Sequence, residues 1–163
     1  MFKLIRSGVL FLILLLAFGC VLFGLSSPSD KFDAVHAAPM PTPDKPPYTG
    51  YKGVTIGLKT DEARTKLGTP KDKSDAQDYF EISGSESVQV FYDAAKNVTA
   101  VTVTYRGKLE SAPTAMSIFG EDATANADGG IFKMVRYPKA GFWISYNKIP
   151  GSDGLIMVAL QKL

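Results

Sequence analysis

The segment GLKTDEARTKLGTP, residues 57–70, carries the most specific local signals in this chain of 163 residues. Thr60 is typical of a helix N-cap, because its hydroxyl can accept a hydrogen bond from a free backbone N–H of the first turn. Gly68 suits the residue after the helix, and Pro70 prevents the helix from continuing. The segment predicts a helix of about two turns, which is too short to be stable alone and must pack on another element.

Segments rich in β-branched and aromatic residues follow this helix. The clearest is residues 98–105, in which Val101, Val103 and Tyr105 alternate with smaller or more polar side chains. Alternation with a period of two predicts a strand whose two faces meet different surroundings. We therefore expect an antiparallel sheet with one buried face and one face in water.

The order of one short helix and three strands repeats in the second half of the chain. Residues 111–120 have Pro113 near their start and Gly120 at their end, which predicts a second short helix. The predicted fold class is α+β: two tandem helix-plus-three-strand antiparallel units, residues 51–107 and 108–163, with the short helices packed on one sheet face. An apolar helix precedes them at the N-terminus. Whether the units share one sheet or form two stays open.

The first 28 residues have the composition of a signal or membrane-anchor segment. Lys3 and Arg6 precede an apolar run, and no charged residue occurs from Ser7 to Ser29. Positive charge before such a run keeps the N-terminus inside and directs the following chain across the membrane. The sequence therefore places the folded part outside the cytoplasm.

Three fates of this segment fit the sequence. The apolar run is longer than the roughly 7–15 residues of a cleaved signal and close to the roughly 17–25 of a spanning helix, which favours a retained transmembrane anchor. Cleavage after Ala37, where small residues are suitably spaced, would give a secreted or periplasmic protein. Lipidation at Cys20 is the third route. In each case residues 29–50, which are rich in proline, predict an extended linker.

The folded part lacks the residue types of several catalytic and metal sites. Residues 51–163 contain no histidine and no cysteine, so Ser-His and Cys-His nucleophile pairs and paired-cysteine metal sites are excluded. The acidic residues do not have the spacing of a calcium loop. Basic residues form no stripe, which argues against nucleic acid. We expect no enzymatic activity, no cofactor and no metal.

Four residues are candidates for a partner-binding surface: Tyr137, Lys139, Trp143 and Tyr146. Aromatic side chains next to cations anchor many protein interfaces. The alternative interpretation is that the long cations only cover half-buried rings on the sheet.

A family resemblance accompanies these patterns. Gly57-Leu58, Glu62-Ala63 and the LGTP of residues 67–70, followed by an aromatic strand and Val90-Phe91-Tyr92-Asp93, resemble the SmpA/OmlA (BamE-like) family of small bacterial envelope proteins. The resemblance implies short helices on an antiparallel sheet, as in β-lactamase-inhibitor proteins. It also implies a role in outer-membrane protein assembly.

The predicted function is a non-enzymatic protein-interaction module of the cell envelope, with an envelope protein as partner and membrane contact through the N-terminal segment. One alternative is an envelope protein that binds a small ligand, a lipid or a glycan, and a large apolar pocket would favour it. A second alternative is an inhibitor of a secreted enzyme, which exposed aromatic residues in loops would favour. A flat aromatic sheet face would favour the interaction module. Partner identity and oligomeric state are not set by the sequence.

Overall fold

The computed structural model describes residues 45–107 and 109–163. In this part of the chain the elements are α1 Thr60–Leu67, β1 Asp72–Lys73, β2 Gln77–Ser83, β3 Glu86–Tyr92, β4 Val98–Arg106, α2 Ala115–Phe119, β5 Ile131–Tyr137, β6 Phe142–Ile149 and β7 Leu155–Lys162. The strands form one sheet in the order β1-β2-β3-β4-β7-β6-β5. Every neighbouring pair is antiparallel.

The predicted α+β fold of two helix-plus-three-strand units is wrong. The described residues form a mainly β structure, a single seven-stranded antiparallel sheet with helices of only 8 and 5 residues. The reason is that the helices are too short to form a layer of their own, so the sheet dominates the fold. Whether there is one sheet or two, which the sequence left open, is decided by β4, which pairs with β7 from Ala100 opposite Gln161 to Arg106 opposite Leu155. This pairing satisfies two strand edges that would otherwise expose unpaired backbone groups. The predicted N-terminal apolar helix lies outside the described residues.

The start of α1 also differs from the prediction. Lys59 is the N-cap residue and makes no capping hydrogen bond through its side chain. Thr60 is the first helical residue, and its Oγ1 donates a 3.0 Å hydrogen bond to the carbonyl of Lys96, in the turn before β4. Thr60 therefore stands one residue too late to cap the helix, and its hydroxyl acts as a donor to a tertiary acceptor, a contact that ties the start of α1 to the sheet.

The helices and one face of the sheet enclose the core, and we call this the covered face. Buried side chains of β2, β3 and β4 pack with Tyr51, Val54 and Ala63 in a first cluster. Those of β6 and β7 pack with α2 in a second cluster. Three half-buried side chains pack against both clusters, so the core is continuous across the β4–β7 junction: Tyr48, Ile56 and Tyr105.

The burial of the tyrosines predicts that the folded state loses stability at alkaline pH. Burial is the main cause that raises the pKa of six of the seven tyrosines: Tyr48, Tyr51, Tyr92, Tyr105, Tyr137 and Tyr146. An unfolded tyrosine ionises near a pKa of about 10. Because the folded pKa values are higher, this stability is fully present below about pH 10 and is lost as the pH rises further.

We therefore expect most phenolate absorbance to appear together with loss of circular dichroism as the pH rises above about 10. Phenolate absorbance and circular dichroism followed in one alkaline titration provide the measurement. A peptide model of tyrosine is the control for intrinsic ionisation. Full ionisation of the tyrosines while the circular dichroism stays native would contradict the predicted link between folding and burial of these rings.

Candidate functional site

The second face of the sheet carries no buried residue in the described part of the chain, and we call it the open face. Its middle row follows the strand pairing and consists of Tyr79, Gln89, Thr102, Ala159, Ser145 and Met134. A row on each side completes it: Gln77, Phe91, Ala100, Gln161, Trp143 and Arg136, and then Glu81, Ser87, Thr104, Met157, Asn147 and Phe132. All eighteen side chains are exposed or half-buried.

Large apolar side chains are concentrated at one end of the open face. Phe132 is 65% exposed and Met134 is 50% exposed, both on β5. Half-buried Trp143 on β6 and Met157 on β7 lie on the same face, within one or two strands of them. We call these four residues the apolar corner. Grouped apolar side chains with this exposure are typical of surfaces that contact another molecule.

The structure does not bring together the four residues predicted from the sequence to bind a partner. Tyr137 and Tyr146 lie on the covered face, 1% and 2% exposed, as part of the second core cluster. Trp143 lies on the open face, and Lys139 is exposed in the turn between β5 and β6. The cause is strand geometry: Trp143 and Tyr146 are three residues apart on β6, and an odd separation puts side chains on opposite faces.

Sequence reasoning missed Phe132, Met134 and Met157. The strand Ile131–Tyr137 has apolar side chains on both faces, so a period of two gives no indication of which face is buried. Two other predicted sites, lipidation at Cys20 and cleavage after Ala37, lie outside the described residues.

A polar cleft of about 720 Å³ lies beside α1. Its lining residues are Lys59, Thr60, Asp61, Arg64, Lys73, Ser74, Asp75 and Lys96. Next to it, Asp78 is fully buried on β2. Two guanidinium nitrogens of Arg64 donate to this carboxylate, at 2.7 Å from Nε to Oδ2 and 3.0 Å from Nη2 to Oδ1. The Tyr92 hydroxyl donates to Oδ2 at 2.7 Å.

We call Arg64, Asp78 and Tyr92 the triad, and its electrostatics favour an ion pair between Arg64 and Asp78. Burial alone would raise the pKa of Asp78, but hydrogen bonds from Arg64 and Tyr92 outweigh burial and hold its pKa below the usual value. The hydrogen bond to Asp78 is the main cause that raises the pKa of Arg64. Both shifts favour the charged forms. The triad therefore fastens α1 to β2 and β3.

Two more cations of the cleft also have structural partners. Lys96 Nζ lies 2.6 Å from Asp75 Oδ1, and Lys59 Nζ donates to the carbonyl of Ala95 at 3.2 Å. Most charges of the cleft therefore take part in contacts within the fold. Within residues 45–107 and 109–163, no group of three or more His, Cys, Asp or Glu side chains is arranged to hold a metal ion.

The helices α1 and α2, the two in the described ranges, are too short to cross a membrane. This finding does not extend to the predicted anchor in residues 1–28, which lie outside those ranges.

Comparisons with known proteins do not assign a family. No protein-family model matches the chain, and no curated protein sequence matches it. A crystal structure of a DUF4309 family protein (YjgB) from Bacillus subtilis subsp. subtilis str. 168 is similar with a TM-score of 0.44 and 10% identity. The match covers 69% of this chain and 84% of that chain. A likeness this distant carries no argument about function.

The resemblance to the SmpA/OmlA (BamE-like) family is wrong. Neither the family models nor the structural neighbour supports it. The residues that suggested it specify a short helix that ends at a glycine and a proline before a β-rich segment. Such helix-stop signals are local chemistry that many unrelated folds share.

Proposed function

We propose that this protein is a non-enzymatic binding module that contacts a protein partner through the open face of its sheet, outside the cytoplasm. The exposed apolar corner carries the proposal, because Phe132 and Met134 are 65% and 50% exposed beside Trp143 and Met157. Fully burying a phenylalanine or methionine side chain contributes about 1.5–3 kcal/mol. Covering the exposed half of both side chains would therefore contribute on the order of 2–3 kcal/mol to association.

The small side chains near the middle of the open face also support a macromolecular partner. The centre of this face consists of small or hydroxyl side chains such as Ala100, Thr102 and Ser145, which allow a broad surface to approach closely. Small-molecule sites are concave and mostly apolar. The cleft beside α1 is lined instead by charged and polar side chains, which does not suit a lipid.

The sequence also raised other functions and a location. Binding of a small ligand or glycan stays a prediction. Enzyme inhibition also stays a prediction, and the loops at residues 69–76, 93–97, 107–114, 120–130, 138–141 and 150–154 contain no aromatic residue that would favour it. A role in outer-membrane assembly came from the family resemblance and is not proposed. Export is supported by the basic and apolar start of the sequence.

Site-specific photocrosslinking tests the proposed function. A photoreactive residue replaces Asn147, which lies between Phe132 and Met157 on the open face, and the full-length protein is irradiated in the cells that make it. We expect a discrete crosslinked protein species, because a partner on this face would lie within reach of the probe. The matched control carries the same residue at Glu62, which is exposed on α1.

The test compares the yield of crosslinked protein from position 147 with the yield from position 62. Crosslinks from Asn147 that disappear when Met134 and Met157 are both replaced by glutamine support the open face as the binding surface. No crosslink at Asn147, or equal crosslinking at Glu62, would overturn the proposal.

A further inference from the structure

The two edge strands of the sheet differ in how well they resist pairing with another strand. At one edge, β1 consists only of Asp72–Lys73, and both residues are exposed and charged. Short, charged edge strands resist the addition of another strand. At the other edge, β5 extends over seven residues, Ile131–Tyr137, and pairs with β6 on its inner side. In the described ranges no strand lies beyond β5.

Among the residues that the structure describes, the backbone of β5 has unused hydrogen-bonding capacity on its outer side. In an antiparallel pair, successive residues direct their N–H and C=O groups alternately towards the partner strand and away from it. Outside the sheet, the backbone bonds of β5 to other described residues are those of the turn, where the Tyr137 carbonyl accepts from Ala140 and Gly141. The outward groups of residues 132–136 therefore offer a template on which an extended chain can pair.

The side chains of β5 indicate the chemistry of that chain. Phe132, Met134 and Arg136 point to the open face, and Arg136 is exposed. The two charged residues of β5, Lys133 and Arg136, are both cationic. Lys133 is already paired with Glu121 at 2.7 Å and lies 5.2 Å from the centre of the Phe119 ring. Arg136 is therefore the charge on this edge that best suits an incoming carboxylate.

We infer that β5 binds an extended acidic segment of a partner protein by strand addition. Two apolar side chains of the segment lie beside Phe132 and Met134 on the open face, and an aspartate or glutamate two positions further along lies opposite Arg136. A second copy of this chain suits the edge less well, because β5 would then meet another strand with two cations and no acid. The inference rests on the proposed function and specifies which strand at the edge of the open face the partner contacts.

A charge exchange between the edge and a peptide tests the inference. The probe is a fluorescent seven-residue peptide with glutamate, valine and valine at alternate positions, and binding to the full-length protein is measured by fluorescence anisotropy. We expect Arg136→Glu to bind the glutamate peptide about fivefold to tenfold more weakly than wild type does. A peptide with lysine in place of the glutamate should restore binding to Arg136→Glu. The matched control is Arg106→Glu, an exposed arginine of the same face on the inner strand β4, which should leave binding unchanged.

A backbone measurement separates strand addition from simple charge attraction. The peptide should slow hydrogen exchange at alternate amides of β5, and a peptide N-methylated at alternate residues should bind more weakly. Equal losses in Arg136→Glu and Arg106→Glu, or unchanged exchange in β5, would overturn the inference. Self-association of the protein that Arg136→Glu abolishes would overturn it too, because a second copy would then occupy the edge.

The two proposals can fail separately. If the peptide does not bind but Asn147 still crosslinks a partner, strand addition is wrong and the open face remains the binding surface. If neither peptide binding nor crosslinking at Asn147 occurs, both proposals are wrong.

Discussion

Val103→Asp will abolish the folded state of the whole sheet, whereas Thr102→Asp, one residue earlier in β4, will leave it folded. Val103 is fully buried between Val88 of β3 and Val158 of β7. An unpaired carboxylate at that position should cost more than about 4 kcal/mol, which approaches the total stability of a typical domain. Thr102 faces the open side and is half-exposed, so a carboxylate there keeps its contact with water.

Trp143 is the natural reporter for this experiment. It is the single tryptophan of the chain and lies on β6, two strands away from β4. In wild type, the urea unfolding curve followed by tryptophan fluorescence should coincide with the curve followed by circular dichroism, because one sheet unfolds as one unit. The same agreement between the two probes is expected for Thr102→Asp. Val103→Asp should give unfolded signals by both probes without urea. Native tryptophan fluorescence in Val103→Asp would contradict a continuous sheet, since it would mean that the second half folds alone.

Asp78→Ala will destabilise the protein by about 3 kcal/mol near neutral pH, because it removes one partner of a buried ion pair. The substitution leaves the Arg64 guanidinium and the Tyr92 hydroxyl without the carboxylate that accepts their hydrogen bonds. We take the lower end of the usual range because the Arg64 side chain is 22% exposed and gains some hydration. The matched control is Asp75→Ala, whose exposed carboxylate pairs with Lys96 and should matter little.

The pH dependence of this effect follows from the lowered pKa of Asp78. Its stabilising contribution is present above the unfolded pKa of about 4 and is lost as the pH falls through the lower folded value. Wild type and Asp78→Ala should therefore differ most near neutral pH and converge in acid. Urea unfolding of both proteins at about pH 7 and about pH 3 provides the measurement. A difference in unfolding free energy that is the same at both pH values would show that the ion pair is not the cause.

Local signals predicted local structure well in this chain. Gly68 and Pro70 mark the end of α1, and the alternation around Val101 and Val103 marks β4, because these effects act between residues close in sequence. Thr60 shows where such reasoning fails. Its hydroxyl bonds to the carbonyl of Lys96, and a tertiary acceptor of this kind is not visible in the residues of the helix itself.

The candidate site depended more on strand pairing than on residue type. Tyr137 and Tyr146 suggested a binding surface because they are aromatic, yet both lie on the covered face and fill the core. Phe132 and Met134 are ordinary apolar residues in a strand with two apolar faces. Only the pairing of β5 with β6, and of β6 with β7, assigns the faces, because one covered face continues across all three strands.

The sequence by itself determined most of where the chain becomes helical or extended, and that residues 51–163 contain no histidine and no cysteine. Only the tertiary structure decided that β4 pairs with β7, and therefore that one sheet forms, that β5 becomes an edge, and that Phe132 and Met134 remain exposed. The physical reason is that helix caps and alternation act over a few residues. Strand pairing depends instead on hydrogen bonds and packing between segments far apart in the chain, and local residue patterns do not specify those partners.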